Sequence, residues 1–172
     1  MKKILIIMFL STLFVSCMES NVNNDKSGSD KFEAKEIEYI PNNQRMWDTT
    51  YVAIYSDIYT ESRDIKFNLT ATLSLRNTSQ RHNIYISDVN YFNSSGKLVK
   101  EFLNKPILLE PLQSIEYVIE KNDETGGTGA NFIINWSSPS VKAKPIIEAV
   151  MISTSGQQGI SFKTKGVSIS EH

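Results

Sequence analysis

One cysteine, two histidines and a loop with three glycines are the residues from which chemistry would have to be built. Nucleophilic catalysis asks for a Ser or Cys beside a His that a carboxylate orients. His172 ends the chain, and His82 stands in a polar turn over residues 77–83 next to Arg81, so spacing gives neither a nucleophile to serve. Zinc sites need His and Cys clustered at fixed intervals; the sequence has no such cluster, and no metal or other cofactor is expected. Asp57, Glu61, Asp64, Asp123 and Glu124 all fall in polar connecting stretches. They leave open a hydrolase working through loop carboxylates, although spacing singles out no pair. Gly126, Gly127, Thr128 and Gly129 invite a phosphate-cradle reading. A Walker loop, however, needs Gly-Lys-Ser/Thr opening a helix, and a dinucleotide fingerprint needs a third glycine on a strand-to-helix turn. Position 132 is Phe and a strand pattern follows, so the loop is read as one whose backbone needs positive φ at several positions. Asn122, Asp123 and Glu124 offer oxygens without the spacing of an EF-hand.

Cys17 has a different neighbourhood. Lys2 and Lys3 precede an apolar run over residues 4–15, broken only by Ser11 and Thr12, and Ser16 stands directly before the cysteine. A positive start, a short apolar stretch and a small residue at the cut describe a secretory signal. The run is too short to span a bilayer, which takes ~20 apolar residues. The pattern resembles a bacterial lipoprotein signal, in which the cysteine takes a diacylglycerol and becomes the new N-terminus. The usual box has Leu three residues before the cysteine; here those positions hold Phe14, Val15 and Ser16, with Leu13 one step further out. A lone thiol in an exported protein needs a use other than pairing, and a reactive thiol needs an electropositive pocket or a base. Cys17 is therefore read as a lipid-attachment site. The expected location is a bacterial cell envelope, membrane-anchored through that lipid and periplasmic or surface-facing; an ordinary secreted protein cut nearby is the alternative.

Removing residues 1–16 as signal leaves 156 residues with 16 basic and 19 acidic side chains, a net charge of −3. That balance has no basic cluster, so no nucleic-acid partner is expected. With no second cysteine there is no disulfide, and one apolar core must supply the stability. Residues 17–35 are polar and read as a flexible tether, extending roughly 20–25 Å as a loose coil of ~18 residues. Residues 36–172 are left as a single domain.

Within that domain the apolar residues recur with period two. Residues 67–76, FNLTATLSLR, set Phe67, Leu69, Ala71, Leu73 and Leu75 against Asn68, Thr70, Thr72, Ser74 and Arg76. No helix would place five apolar residues at that spacing. Strands are also expected over residues 50–55, 84–92, 98–103, 114–120, 132–136, 146–153 and 160–163. Short ones are expected around Ile37, Tyr39 and Ile40, and at Val167 and Ile169. The apolar phase slips between Ile86 and Val89, which predicts a bulge near Ser87 and Asp88. Asn93 to Gly96 reads as a tight hairpin turn, and Pro106 and Pro111 mark an edge or crossing connection. Seven or eight strands without an amphipathic helix predict an all-β fold, an antiparallel immunoglobulin-like β-sandwich, with a small β-barrel as the alternative.

If successive strands reverse direction, alternate connections share one end of the sandwich. The connections 56–66, 93–97, 122–131 and 155–159 then gather Arg63, Asp64, Asp123, Glu124, Gly126, Gly127, Gly129, Asn131, Gln157 and Gln158. Loop ends on a rigid scaffold are where sandwiches commonly carry recognition. The functional expectation is a non-enzymatic binding or accessory module that takes an envelope protein or a glycan through this end. The alternatives are the loop-carboxylate hydrolase and a periplasmic small-ligand sensor, which would need an apolar pocket with a few polar groups.

The runs YVAIYSDIY (51–59), FNLTATLSLRNT (67–78), GGTGANFIINW (126–136) and PIIEAVMISTSGQQGISFKTKG (145–166) resemble a bacterial family, the domain of unknown function 3124. Its members are small exported proteins, many of them lipoproteins. The resemblance covers residues 51–166 and implies one exported domain; it implies no activity and no site residue.

Overall fold

The structure, a computed structural model, describes residues 34–154 and 159–170. Strands make up its regular structure, with no helix among the described residues. In chain order they are β1 (Lys35–Glu36), β2 (Met46–Ala53), β3 (Asp57–Tyr59), β4 (Lys66–Asn68), β5 (Thr70–Arg76), β6 (Ile84–Phe92) and β7 (Leu98–Glu101). There follow β8 (Ile107–Leu109), β9 (Ser114–Ile119), β10 (Asn131–Ser138), β11 (Ile146–Ser153), β12 (Ile160–Lys165) and β13 (Val167–Ser168). Eight of the thirteen are four residues or longer, which is the number that alternation reveals; the others are two- and three-residue strands, too short to carry a period.

All pairings are antiparallel. One sheet runs β1-β8-β6-β10-β2-β13, with β7 also on β6; the other runs β12-β11-β5-β9, and β3 and β4 form a separate hairpin. Neither large sheet closes into a barrel, and their inward faces merge into one apolar core, so the fold is a β-sandwich. Val52, Phe132, Ile134, Val89 and Tyr91 from the first sheet meet Ala71, Leu73, Leu75, Ala149 and Met151 from the second, all fully buried. Burying each large apolar side chain there contributes about 1.5–3 kcal/mol.

The bulge lies where the phase slip puts it. Asn135 pairs with Asp88 and Trp136 with Ile86, leaving Ser87 as the extra residue. Other boundaries differ for identifiable reasons. β2 begins at Met46 rather than at residue 50, because Asp48 occupies an inward position and hides the alternation. The carboxylate tolerates burial there because the hydroxyls of Ser168 and Ser170 donate to its Oδ1 at 2.6 and 2.7 Å. The expected single strand over 67–76 breaks at Leu69, whose amide donates to Ser56 O at 2.8 Å as the chain passes from the β3–β4 hairpin into the sheet. The first strand is Lys35–Glu36, not the stretch around Ile37 and Tyr39; Ile37 gives only one backbone bond, to Pro106 O at 2.9 Å. Lys35 thus belongs to the domain rather than to the tether, and Ala34 packs on the core.

Strand direction gives the sandwich two poles. One joins β5 to β6, β8 to β9 and β10 to β11 through residues 77–83, 110–113 and 139–145, and receives the segment 43–45 that leads into β2. The other carries the β6–β7 turn, residues 93–97, and the β9–β10 connection, residues 120–130, beside the chain leaving β2.

Candidate functional site

At the second pole the β9–β10 loop is built around one hydroxyl, that of Ser94. Asn93 to Gly96 makes the β6–β7 hairpin, with Gly96 at φ +73° where an L side chain is disfavoured. Asn93 Oδ1 accepts from the amides of Ser95 and Lys97, both at 3.0 Å, so the turn is held at a fixed angle. This presents Ser94 to the glycines. Its amide and its hydroxyl both donate to Gly126 O, at 2.9 and 3.0 Å, and its Oγ accepts from the Gly129 amide at 2.8 Å. The Ser56 amide donates to Gly127 O at 3.2 Å and the Ile54 amide to Ala130 O at 2.9 Å. Three connections separated in sequence are therefore joined into one platform.

The glycines earn their places in different ways. Of the three only Gly127 has positive φ, +79°, which corrects the expectation that several positions would. Gly126 is there for space: a Cβ on it would lie 1.8 Å from Tyr91 Oη and 2.5 Å from Ser56 Oγ. At Gly129 a Cβ would come within 3.3 Å of Ser94 Oγ. The inside of the loop is thus filled by the chain's own serine and tyrosine, as a packing arrangement would have it.

Beneath the platform Tyr91 Oη and Ser56 Oγ share a hydrogen bond of 3.0 Å. Burial pushes the Tyr91 phenol above its ordinary range; the Ser56 bond opposes this, and the nearby Asp123 charge adds to it. Tyr91 stacks at a tilt on Phe132, centroids 5.3 Å apart, and Phe132 and Tyr117 both contact Phe102. Burial raises Tyr117 to about 12, and its hydroxyl has no hydrogen-bond partner among the described residues.

The expected surface residues separate into distinct settings. Asp123 caps its own turn, accepting from the Thr125 amide at 2.9 Å and from the Thr125 hydroxyl. Glu124 next to it is exposed. Arg63 and Asp64 are exposed at the tip of the β3–β4 hairpin, where the Asp64 amide donates to Ser62 Oγ at 3.2 Å. Asn131 is not a loop residue: it opens β10, paired with Ala53 and Phe92. Cys17, Gln157 and Gln158 lie outside the described residues.

Of the carboxylates of the hydrolase alternative, Asp57 and Asp123 both lie near enough to the Tyr91 phenol for their charges to raise it. Asp57 is tied to Lys66, with Nζ 3.2 Å from Oδ1 and hydrogen-bonded to Oδ2 at 3.3 Å, while Asp123 is engaged by Thr125. His82 lies at the opposite pole, exposed in the 77–83 connection. Among the described residues no group of three His, Cys, Asp or Glu is placed to hold a metal.

The sequence reading missed Ser94, Ser56 and Tyr91, because what makes them matter is contact between residues more than thirty positions apart. It also missed a shallow recess on the open face of the first sheet, lined by Trp47, Thr49, Ser87 and Asn135. Thr49 Oγ1 donates there to Asn135 Oδ1 at 2.8 Å, and Asn135 Nδ2 to Asp88 Oδ2 at 3.0 Å.

Residues 47–169 match the family described as protein of unknown function (DUF3124), and the chain belongs to that family. No curated protein matches it. A crystal structure of a Thermotoga maritima protein is similar over 70% of this chain and 92% of its own, at 12% identity and a TM-score of 0.41. That score is too low for the likeness to bear on fold or function.

Proposed function

We propose that this DUF3124 protein is a non-catalytic binding or accessory module of a bacterial cell envelope, anchored through a lipid on Cys17. It recognises an envelope protein or a glycan through the pole that carries the glycine loop. The observation that supports this most is the joining of three connections, by Ser94 to Gly126 and Gly129, Ser56 to Gly127 and Ile54 to Ala130, at 2.8–3.2 Å. Loops fixed in advance lose little freedom on binding, so more of the contact energy appears as affinity. Exposed polar side chains, Arg63 and Asp64 on the hairpin and Glu124 on the loop, stand on that pole as contact groups. The test is capture from detergent-solubilised envelope, comparing the native chain with an Arg63→Ala, Asp64→Ala, Glu124→Ala variant of equal thermal stability. The expected result is a partner held by the native chain and lost by the variant. Equal capture by both would remove this pole from the function.

A further inference from the structure

The opposite pole has a different character. Its connections, residues 43–45, 77–83, 110–113 and 139–145, carry Arg45, Arg81, Lys142 and Lys144 against the single acid Glu110. The glycine-loop pole, residues 60–65, 93–97 and 120–130, carries Glu61, Asp64, Glu120, Asp123 and Glu124 against Arg63, Lys97 and Lys121. A chain with a net charge of only −1 is therefore polarised along its strands. The four cations are exposed. Two of them, Arg45 and Lys142, line a recess of about 600 Å³ together with Asn43, His82, Pro139, Ser140 and Val141, with no carboxylate in its wall. Its floor is shaped by the chain itself: Ser138 Oγ accepts from the Ser140 amide at 3.2 Å, and Ser140 Oγ from the Lys142 amide at 3.3 Å. The Arg45 amide is fixed to Ser138 O at 3.0 Å.

The same pole is where the chain enters the domain. Lys35 pairs with Leu108, one residue from the Leu109 that pairs with Ile84 at the start of β6, so the backbone enters at the end of β8 that leads into Glu110. Thirty-three residues precede Ala34, including Cys17. Along the chain, the entry pole is the end of the domain nearest to that segment.

We infer that the basic pole is a membrane-facing surface that takes the phosphate groups of anionic lipid headgroups, one of them seated in the recess by Arg45, His82 and Lys142. Arg45 supplies a planar fork of donors suited to phosphate oxygens, Lys142 a point charge and His82 a further ring nitrogen. The inference rests on the reading that Cys17 is lipidated, which brings this pole to a bilayer and leaves the glycine-loop pole pointing away from it. Headgroup binding then fixes the orientation as well as the distance of the recognition surface.

The experiment separates the two claims. The chain from residue 17 onward, with Cys17→Ser so that no lipid is attached, is floated with vesicles of phosphatidylglycerol mixed with phosphatidylethanolamine, and separately with phosphatidylcholine vesicles. All described contacts lie within residues 34–170, so this chain keeps the whole described fold. The expected result is binding to the anionic vesicles alone, weakening as salt rises. Each of Arg45→Gln, Lys142→Gln and Lys144→Gln weakens it about fivefold, with an unchanged thermal midpoint. Equal binding to both vesicle types, or full binding by the triple variant, would overturn the inference. So would no vesicle binding, including the case in which inorganic phosphate alone raises the thermal midpoint and marks a free-anion site. Mass spectrometry of the native chain reports the Cys17 lipid independently. Acylated protein whose basic pole ignores anionic vesicles would sink the inference and leave the anchor standing. Vesicle binding by an unacylated native chain would uphold headgroup recognition and remove the anchor.

Discussion

Replacing Gly126 by Ala should be far more damaging than an ordinary loop substitution. The backbone there is not in the left-handed region, so the cost is spatial: the new Cβ would sit 1.8 Å from Tyr91 Oη, 2.5 Å from Ser56 Oγ and 2.9 Å from Tyr91 Cζ. Tyr91 is fully buried and packed on Phe132, so its ring has no free space to retreat into. Relief must come from moving the loop or the ring. Overpacking of this kind costs about 1–3 kcal/mol, and loss of the Tyr91–Ser56 hydrogen bond adds about 1 kcal/mol. A total of about 2–4 kcal/mol corresponds to a fall of about 5–15 °C in Tm for a domain of this size. Urea unfolding followed by Trp fluorescence measures the free energy, and a thermal scan measures the midpoint. Tyr91→Phe in the same background removes the nearest clashing atom but leaves the ring carbon, so rescue should be partial. The two changes should couple by at least about 1 kcal/mol in a double-mutant cycle. A Gly126→Ala protein within about 0.5 kcal/mol of native, the ordinary range for surface changes, would show that the loop is not packed as described. Simple additivity with Tyr91→Phe would say the same.

Ser94→Ala removes both side-chain hydrogen bonds that lock the glycine loop, at about 1 kcal/mol each, and hydrogen exchange at the Gly129 amide should quicken; unchanged exchange would mean that the loop holds without Ser94. Tyr117→Phe removes a buried hydroxyl that has no partner among the described residues, so urea unfolding near neutral pH should show stability equal to or above that of the native protein. Tyr117 rises from an ordinary 10.0 to about 12 on folding, so the folded state keeps its proton where the unfolded chain has lost it. That contribution is complete below pH 10 and should be lost between pH 10 and 12, and unfolding curves across this range should be flatter for Tyr117→Phe. On membranes washed with high salt, which screens headgroup binding, Cys17→Ser should be lost to the soluble fraction; unchanged salt-resistant retention would remove the lipid anchor.

The parts of the fold visible in the sequence are those set by local pattern. Ile86 and Val89 are out of phase, and that alone locates Ser87 as the bulge. Asn93 to Gly96 announces its hairpin by residue type. The extent of β10 was hidden because Ser137 and Ser138 are polar yet fully buried, so the alternation stops before the strand does. The grouping of loops at one pole follows from antiparallel order, and residues 54–56, 93–97 and 126–130 do meet there. How they meet does not follow from order. The clearance at Gly126 depends on a tyrosine thirty-five positions earlier and on Ser56, seventy positions earlier. The basic pole is likewise dispersed: Arg45, Arg81, Lys142 and Lys144 form no run in sequence and become neighbours only through the strand ends.

Hydrogen exchange on the full chain, with and without its partner captured from solubilised envelope, tests the account most directly. The prediction is protection confined to residues 60–65 and 120–126, with the basic pole and both sheet faces exchanging as in the free protein. Protection on a sheet face, or at residues 43–45 and 139–145 in place of the glycine-loop pole, would contradict it.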